Sequence, residues 1–253
     1  MDIDPTDIVV ANDKPEGSLN PYSDVFPIYV VKRDSSGKRK IEFSGTGFLV
    51  SDGILVTCWH CVIDNLEPNE YYAVLPKTEE RRLYPLRQIT RHSHKVDMAK
   101  AKVNLHCRNR FELVKEEAAI GTLVSFYGYM NSFGCRPQSS CVTGNITPLV
   151  SYTDNPYDES YPPPPSYRMD FRAYQGVSGS PVFIKDTNRL IGMIWGHDSG
   201  SELIDINEID LDNTDADLED MSWTDLFMGR GDDMGANAYT SLAISQLLDV
   251  TSI

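Results

Sequence analysis

The sequence predicts an all-β protein: two six-stranded antiparallel β-barrels followed by a C-terminal helix. Three observations carry that expectation. Short apolar or alternating runs of strand length follow one another from about residue 26, each bounded by Gly, Ser, Asp or Pro. The runs fall into two successive series, which suits two small barrels or a sandwich. Helical periodicity shows only at the end, where "NAYTSLAISQLLDV" lets Leu242, Ile244, Leu247 and Leu248 share one face.

Residues 1–23 are polar, with Pro and Gly, and read as an extended arm. The N-terminal barrel is expected over 24–115. Its runs are "VFPIYVVKR", "KIEFSGTGFLV", "GILVTCWH", "YYAVLP", "LYPLRQIT" and "VDMAKAKV", rich in the β-branched and aromatic residues that fit a pleated surface. The turns "DSSGK" and "SDG" separate the first three. The C-terminal barrel is expected over 116–253, through "GTLVSFYGYM", "SSCVTGNITPLV", "SYRMDFRAY", "SPVFIK" and "RLIGMIWG". Two segments depart from the pattern. "DNPYDESYPPPPSY" holds four consecutive prolines and must be extended. Residues 201–235 form a long acidic insertion, of a length that in compact domains is functional or only partly ordered.

Composition narrows the function. The 253-residue chain carries 37 acidic against 23 basic residues, a net charge of -14. A nucleic-acid binder needs a basic footprint, and an anionic membrane repels such a surface, so neither is an expected partner. No run approaches the roughly 20 apolar residues of a membrane span. The start, "MDIDPTDIVV", has no basic region leading into an apolar run. Five cysteines are an odd number at low density, so free thiols and a cytoplasmic setting are expected.

The chemistry concentrates in three stretches. "LVTCWHCV" sets His60 between Cys58 and Cys61 at a strand end. "VDMAKAKV" places Asp97 at the start of an alternating strand. "QGVSGSPVF" places Ser178 in a Gly-rich turn before another apolar strand. A serine hydroxyl is a weak nucleophile and needs a neutral imidazole to take its proton. A carboxylate must hold that imidazole in the right tautomer, and glycines beside the serine free backbone N–H groups for a developing oxyanion. Each stretch alone is common; the three in order on an all-β pattern point to acyl transfer.

At this point the chain resembles the chymotrypsin/trypsin-like serine peptidases, and the HtrA-type branch more than the secreted digestive enzymes. "GTGFLV" with "LVTCWHCV" is similar to the strand leading into the family's Thr-x-x-His. "VDMAKAKV" resembles its Asp-x-Ala strand, and "GVSGSPVF" its nucleophile turn. "GNITPLV" and "RLIGMIWGHDSG" resemble later strands of the second barrel, and "AYTSLAISQLL" the closing helix. The resemblance implies a chymotrypsin-like fold and a serine endopeptidase that needs no cofactor or metal. His60 would be the general base, Asp97 its orienting carboxylate and Ser178 the nucleophile. The N–H groups of Gly176 and Ser178 would form the oxyanion hole. Ile194, Trp195 and Gly196 would pair with an extended protein or peptide substrate, and Arg172, Ala173, Tyr174 and Gln175 would line the primary pocket.

The departures carry their own implications. Val177 stands where secreted members have the aspartate that pairs with a new N-terminus, so zymogen cleavage cannot switch this chain on. A regulatory partner protein or fused regulatory domain is expected instead. Ser180 replaces the second glycine of the turn, implying strain or a narrower site. Gly45 occupies the position of the family's disulfide partner for Cys61. Three other readings are weaker. A zinc site of Cys58, Cys61, Cys135 and Cys141 lacks a second Cys-x-x-Cys, and a redox motif lacks its βαβ setting. The acidic insertion lacks the glycine and terminal glutamate of a calcium loop. His92 and His94 read as a solvated pair. The rival function is a peptidase-like module that binds a peptide or partner without cutting it.

Overall fold

The computed structural model describes residues 21–33, 36–63, 66–76, 82–93, 96–108, 111–114, 116–130, 137–147, 166–171, 175–197, 236–240, 244 and 248. The N-terminal arm through residue 20, the proline run and the acidic insertion lie outside them, as do Arg172, Ala173 and Tyr174.

The first sheet is entirely antiparallel. β1 (Val25–Arg33), β2 (Arg39–Ser51) and β3 (Ile54–Thr57) are followed by β4 (Tyr71–Val74), β5 (Tyr84–Pro85), β6 (Arg87–Ser93) and β7 (Val96–Lys102). They lie in the order β5-β4-β1-β2-β3-β7-β6. The expected turn "SDG" joins β2 to β3 with Gly53 at φ 72°, a left-handed conformation that glycine adopts without a Cβ penalty. The carboxylate of Asp52 accepts from the N–H of Cys107 at 2.8 Å, tying that turn to the strand-exit segment. β6 corrects one expectation. His92 is not solvated: both its ring nitrogens are buried, and burial lowers its pKa.

The second sheet holds β8 (Glu112–Leu113), β9 (Leu123–Met130), β10 (Gln138–Thr147), β11 (Ser166–Met169), β12 (Pro181–Ile184), β13 (Arg189–His197) and β14 (Ala236–Thr240). Their order is β12-β9-β10-β11-β14-β13-β8, and β12 also pairs with β13. That extra pairing closes a ring from β9 round to β12, which leaves few open edges to manage. β8 attaches in parallel to the outside of β13, so Glu112 and Leu113 pair with the second sheet. Among the described residues each sheet counts seven strands where six are expected, because two-residue strands add at the rims. The start of the stretch expected as the C-terminal helix is strand instead. Residues 236–240 are strand β14, paired with both β11 and β13. Backbone pairing on two sides outweighs helical propensity there. Of the later residues only Ile244 and Leu248 are described, both in helical conformation; the rest of the expected helix lies outside the described residues.

Three apolar clusters fill the fold. One lies within the first sheet around Ile28, Leu49, Leu55 and Val74, and one within the second around Phe126, Met169, Val182 and Ile191. The third crosses between them: Val25, Phe48 and Val56 meet Tyr127, Phe183, Met193 and Trp195, with Ile244 completing it. Each large side chain so buried contributes about 1.5–3 kcal/mol. This bridging core fixes the two sheets against each other, and Cys58 and Cys61 belong to it.

Ser180, expected to strain or narrow the nucleophile turn, is accommodated inward. It is fully buried, and its side chain occupies the space left by Gly128 on β9. A Cβ on Gly128 would stand 1.9 Å from Ser180 Oγ and 3.0 Å from its Cβ. The two positions exchange volume: where the turn has a side chain, the strand has none. Gly128→Ala should therefore cost about 1–3 kcal/mol by overpacking, read from urea unfolding. In a Ser180→Gly background the same substitution should cost much less. Equal costs in both backgrounds would show that the pair does not share this space.

Candidate active site

His60 rides on a single 3-10 turn, Trp59–Val62, directly after β3. The turn is held at several points. Trp59 stacks under the guanidinium of Arg91 at 5.4 Å, and Ser44 Oγ donates to the carbonyl of Cys61 at 2.7 Å. Cys61 packs against the bare face of Gly45, where an added Cβ would come within 2.4 Å of the sulfur. The position that would carry a disulfide partner is thus filled by the Cys61 thiol itself.

Asp97 meets His60 at two points. Its Oδ1 accepts from the backbone N–H of His60 at 2.8 Å, and its Oδ2 bonds the ring Nδ1 at 2.5 Å. Both carboxylate oxygens are spent on one residue, so ring and main chain are oriented together. Asp97 is 3% exposed and His60 32%, which buries the carboxylate beneath the imidazole. Burial pulls the His60 pKa down, but the hydrogen bonds to Asp97 and Cys61 outweigh it and hold the ring at about 10, well above an ordinary imidazole. Because the folded value is raised, this pairing stabilises the fold fully below pH 6.5. That contribution fades as pH rises toward 10.

Ser178 lies on the turn between residues 176 and 180, which the first sheet grips through Thr46. Thr46 is completely buried on β2, and all its polar groups are engaged. Its N–H donates to the carbonyl of Ser178 at 2.9 Å. Its hydroxyl donates to the carbonyl of Gly176 at 2.9 Å and accepts from the N–H of Tyr129 at 3.0 Å. Its own carbonyl accepts from Thr57 Oγ1 at 2.6 Å. The approach is so close that a Cβ on Gly179, at φ 86°, would stand 1.9 Å from Thr46 O. A Cβ on Gly176, at φ 96°, would stand 2.3 Å from the Phe43 ring. Both glycines are required by contact as well as by backbone angle. Val177 points into the second core at 1% exposure, an apolar anchor in place of an ion pair.

The predicted residues are brought together unequally. His60 and Asp97 are in direct contact. Ser178 joins them from the other sheet, its carbonyl accepting from both Thr46 N–H and the Cys61 thiol, the latter at 3.7 Å. Among the described residues, no hydrogen bond links the Ser178 hydroxyl to the His60 ring, and the N–H groups of Gly176 and Ser178 meet no acceptor. Ile194 departs from its expected role. Its N–H donates to Ser180 O at 2.9 Å, and its carbonyl accepts from Gly179 N–H at 2.8 Å and the Cys58 thiol at 3.2 Å. It is fully buried and holds the turn, leaving no main-chain group for an extended ligand. Trp195 is 6% exposed, and Gly196 is the half-buried member of the three. Gln175 is exposed. Thr46 and Thr57 were not singled out from sequence; the signal was a threonine between the glycines of "GTGF" and another three residues before His60.

The comparisons with known proteins bear on the family and the fold. The model of the trypsin-like peptidase domain matches residues 45–193. No curated protein sequence resembles the chain closely enough to count as a match. Among solved structures, the active form of the Rv3671c protease from M. tuberculosis superposes with a TM-score of 0.58 at 17% identity, covering 92% of this chain and 83% of that one. Its inactive form gives 0.57 at 16%, over 92% and 91%. The HtrA-type protease AlgW with a decapeptide gives 0.59 at 15%, over 90% of this chain and 64% of that one. At such identities these likenesses establish the fold.

Two measurements check the site. The His60 ring, followed by NMR through its Cε1–H shift, should titrate well above 6.5, and Asp97→Asn should lower its pKa; a ring that titrates near 6.5 in both would contradict the pairing. Thr46→Val keeps the shape but strips the hydroxyl from two main-chain partners. It should cost about 1–3 kcal/mol in urea unfolding, with Thr46→Ser restoring most of it. No loss in the valine variant would show that the hydroxyl does not bolt the turn.

Proposed function

From the premise that the chain belongs to the trypsin-like peptidases, we propose that it is a serine endopeptidase working through His60, Asp97 and Ser178. The observation that carries this reading is the double hydrogen bond of Asp97 to His60 beside a glycine-rich turn whose Ser178 is anchored by Thr46. Asp97 holds Nδ1–H, so in the neutral ring Nε2 is the nitrogen left to accept a proton, a form that the raised pKa makes the majority only as pH nears 10. A small closing movement on substrate binding would bring the Ser178 hydroxyl into reach, since such bonds are often long before a substrate arrives. Ser178 Oγ then attacks the scissile carbonyl while His60 takes its proton. The oxyanion would be received by the N–H groups of Gly176 and Ser178, fixed in advance and so free of reorganisation cost. His60 returns the proton to the leaving amine, and water releases the acyl group by the same path.

An extended peptide would lie along the exposed edge that begins at Gly196, with Ile194 behind it as a support for the turn. The primary pocket would draw on Arg172, Ala173, Tyr174 and Gln175. Arg172 would favour an acidic side chain before the cut, unless a carboxylate of the acidic insertion neutralises it. Val177 in place of a buried aspartate supports control by a partner or fused domain rather than by zymogen cleavage. Cys58, Cys61, Cys107 and Cys141 form no disulfide among the described residues, which fits a reducing, cytoplasmic setting.

The unmade Ser178–His60 bond favours a second reading, a module that binds peptides without cutting them. Peptide-library cleavage by the wild-type chain and by Ser178→Ala separates the two. The first reading expects hydrolysis that falls by about a thousandfold or more in the variant, with folding and peptide binding kept. Binding without any cleavage by the wild type would support the module and overturn the enzyme.

A further inference from the structure

Family membership accounts for His60, Asp97 and Ser178, but not for the two thiols around them. Cys58 and Cys61 flank His60, both are fully buried, and neither forms a disulfide. The Cys58 thiol donates to the carbonyl of Ile194 at 3.2 Å, and the Cys61 thiol to that of Ser178 at 3.7 Å. The Cys58 sulfur, a ring nitrogen of His60 and a carboxylate oxygen of Asp97 all lie within 4.8 Å of one another. Around a tetrahedral zinc ion, with metal–sulfur near 2.3 Å and metal–nitrogen near 2.0 Å, donors stand roughly 3.3–3.8 Å apart. The three atoms are therefore close to a metal-binding arrangement already, with a fourth position left for water. A thiolate, an imidazole and a carboxylate suit zinc and similar borderline ions, not magnesium or calcium.

We propose that Cys58, His60 and Asp97 form an inhibitory site for zinc. The inhibitory part rests on the enzyme reading above. The ion enters past His60, because the other two side chains are no more than 3% exposed. At 2.5 Å, Nδ1 and Asp97 Oδ2 stand too close to admit an ion between them. Binding at Nδ1 therefore displaces the proton shared with Asp97 and parts the two groups slightly: a protonated ring releases that proton to water and keeps the one on Nε2, and a neutral ring moves its single proton from Nδ1 to Nε2. Either way Nε2 can no longer accept a proton from a serine hydroxyl. The Cys58 thiol proton passes to water as its thiolate takes the metal. No bond is made to Ser178, so the nucleophile stays in place and metal release restores the base. Catalysis needs no metal on this account; occupancy by one excludes it.

The test separates site from function by starting with Ser178→Ala, which does not depend on catalysis. Cobalt(II) is titrated into the metal-free full chain, kept reduced by a phosphine. One equivalent should bind with a thiolate-to-cobalt charge-transfer absorption, and zinc should displace it. Cys58→Ala and His60→Ala should each weaken binding by about a hundredfold or more. Cys58→Ser, which keeps the side chain's size, gives the same reading if Cys58→Ala misfolds. No thiolate band, or an equal band in the Cys58 variants, overturns the site. In the wild-type chain one equivalent of zinc should slow peptide hydrolysis about tenfold or more, with recovery on adding a chelator. Hydrolysis unchanged by zinc while the cobalt band forms overturns the inhibitory role. A chain that cuts no peptide even without zinc counts against the enzyme reading alone, and the cobalt titration still decides the site.

Discussion

Much of the molecule depends on one buried threonine. Thr46 belongs to the first sheet by sequence and pairing, yet its N–H and hydroxyl hold the carbonyls of Ser178 and Gly176, which belong to the second. Hydrogen bonds in a dry interior are costly to leave unmade. With every polar group of Thr46 used, the turn cannot shift without orphaning several partners at once. The glycines on either side follow from that closeness, since Gly179 has no room for a Cβ against Thr46 O. The bridging core of Phe48, Phe183, Met193 and Trp195 supplies the burial that keeps those bonds dry. Packing between the sheets and the geometry of the site are thus one arrangement.

The second constraint is how Asp97 spends its two oxygens. A carboxylate that bonds only a ring leaves the backbone of its partner free to move. Here the same carboxylate holds the His60 N–H and the His60 ring, so the 3-10 turn and the imidazole are positioned together. Placing Asp97 at the start of β7, antiparallel to β3, makes that reach possible. The chain order of the residues is far apart; the strand pairing is what makes them neighbours.

The parts legible in the sequence were those with local signals. Alternation and turn residues marked most strands, and "SDG" behaved as the tight turn its composition suggests. His60 and Asp97 stood out by residue type and strand-end position. What was not legible depends on contacts between distant segments. Nothing local says that Gly128 makes room for Ser180, or that Ile194 spends its main chain on the nucleophile turn. Within the stretch expected to be helical, residues 236–240 are strand instead, because the strands on both sides compete for that backbone, which nothing local reveals. His92 differs for a similar reason, since a basic neighbourhood in sequence became a half-buried strand position with its ring nitrogens covered.

The central claim is that Ser178 is a nucleophile whose reactivity depends on His60 across the gap between the two sheets. A fluorophosphonate probe reports this directly, because it forms a covalent phosphonyl ester only with an activated serine. The account predicts one adduct per chain, mapped by mass spectrometry to the peptide containing Ser178 and absent from His60→Ala. A chain that stays unlabelled, or one labelled at Ser178 equally well without the His60 imidazole, would contradict it.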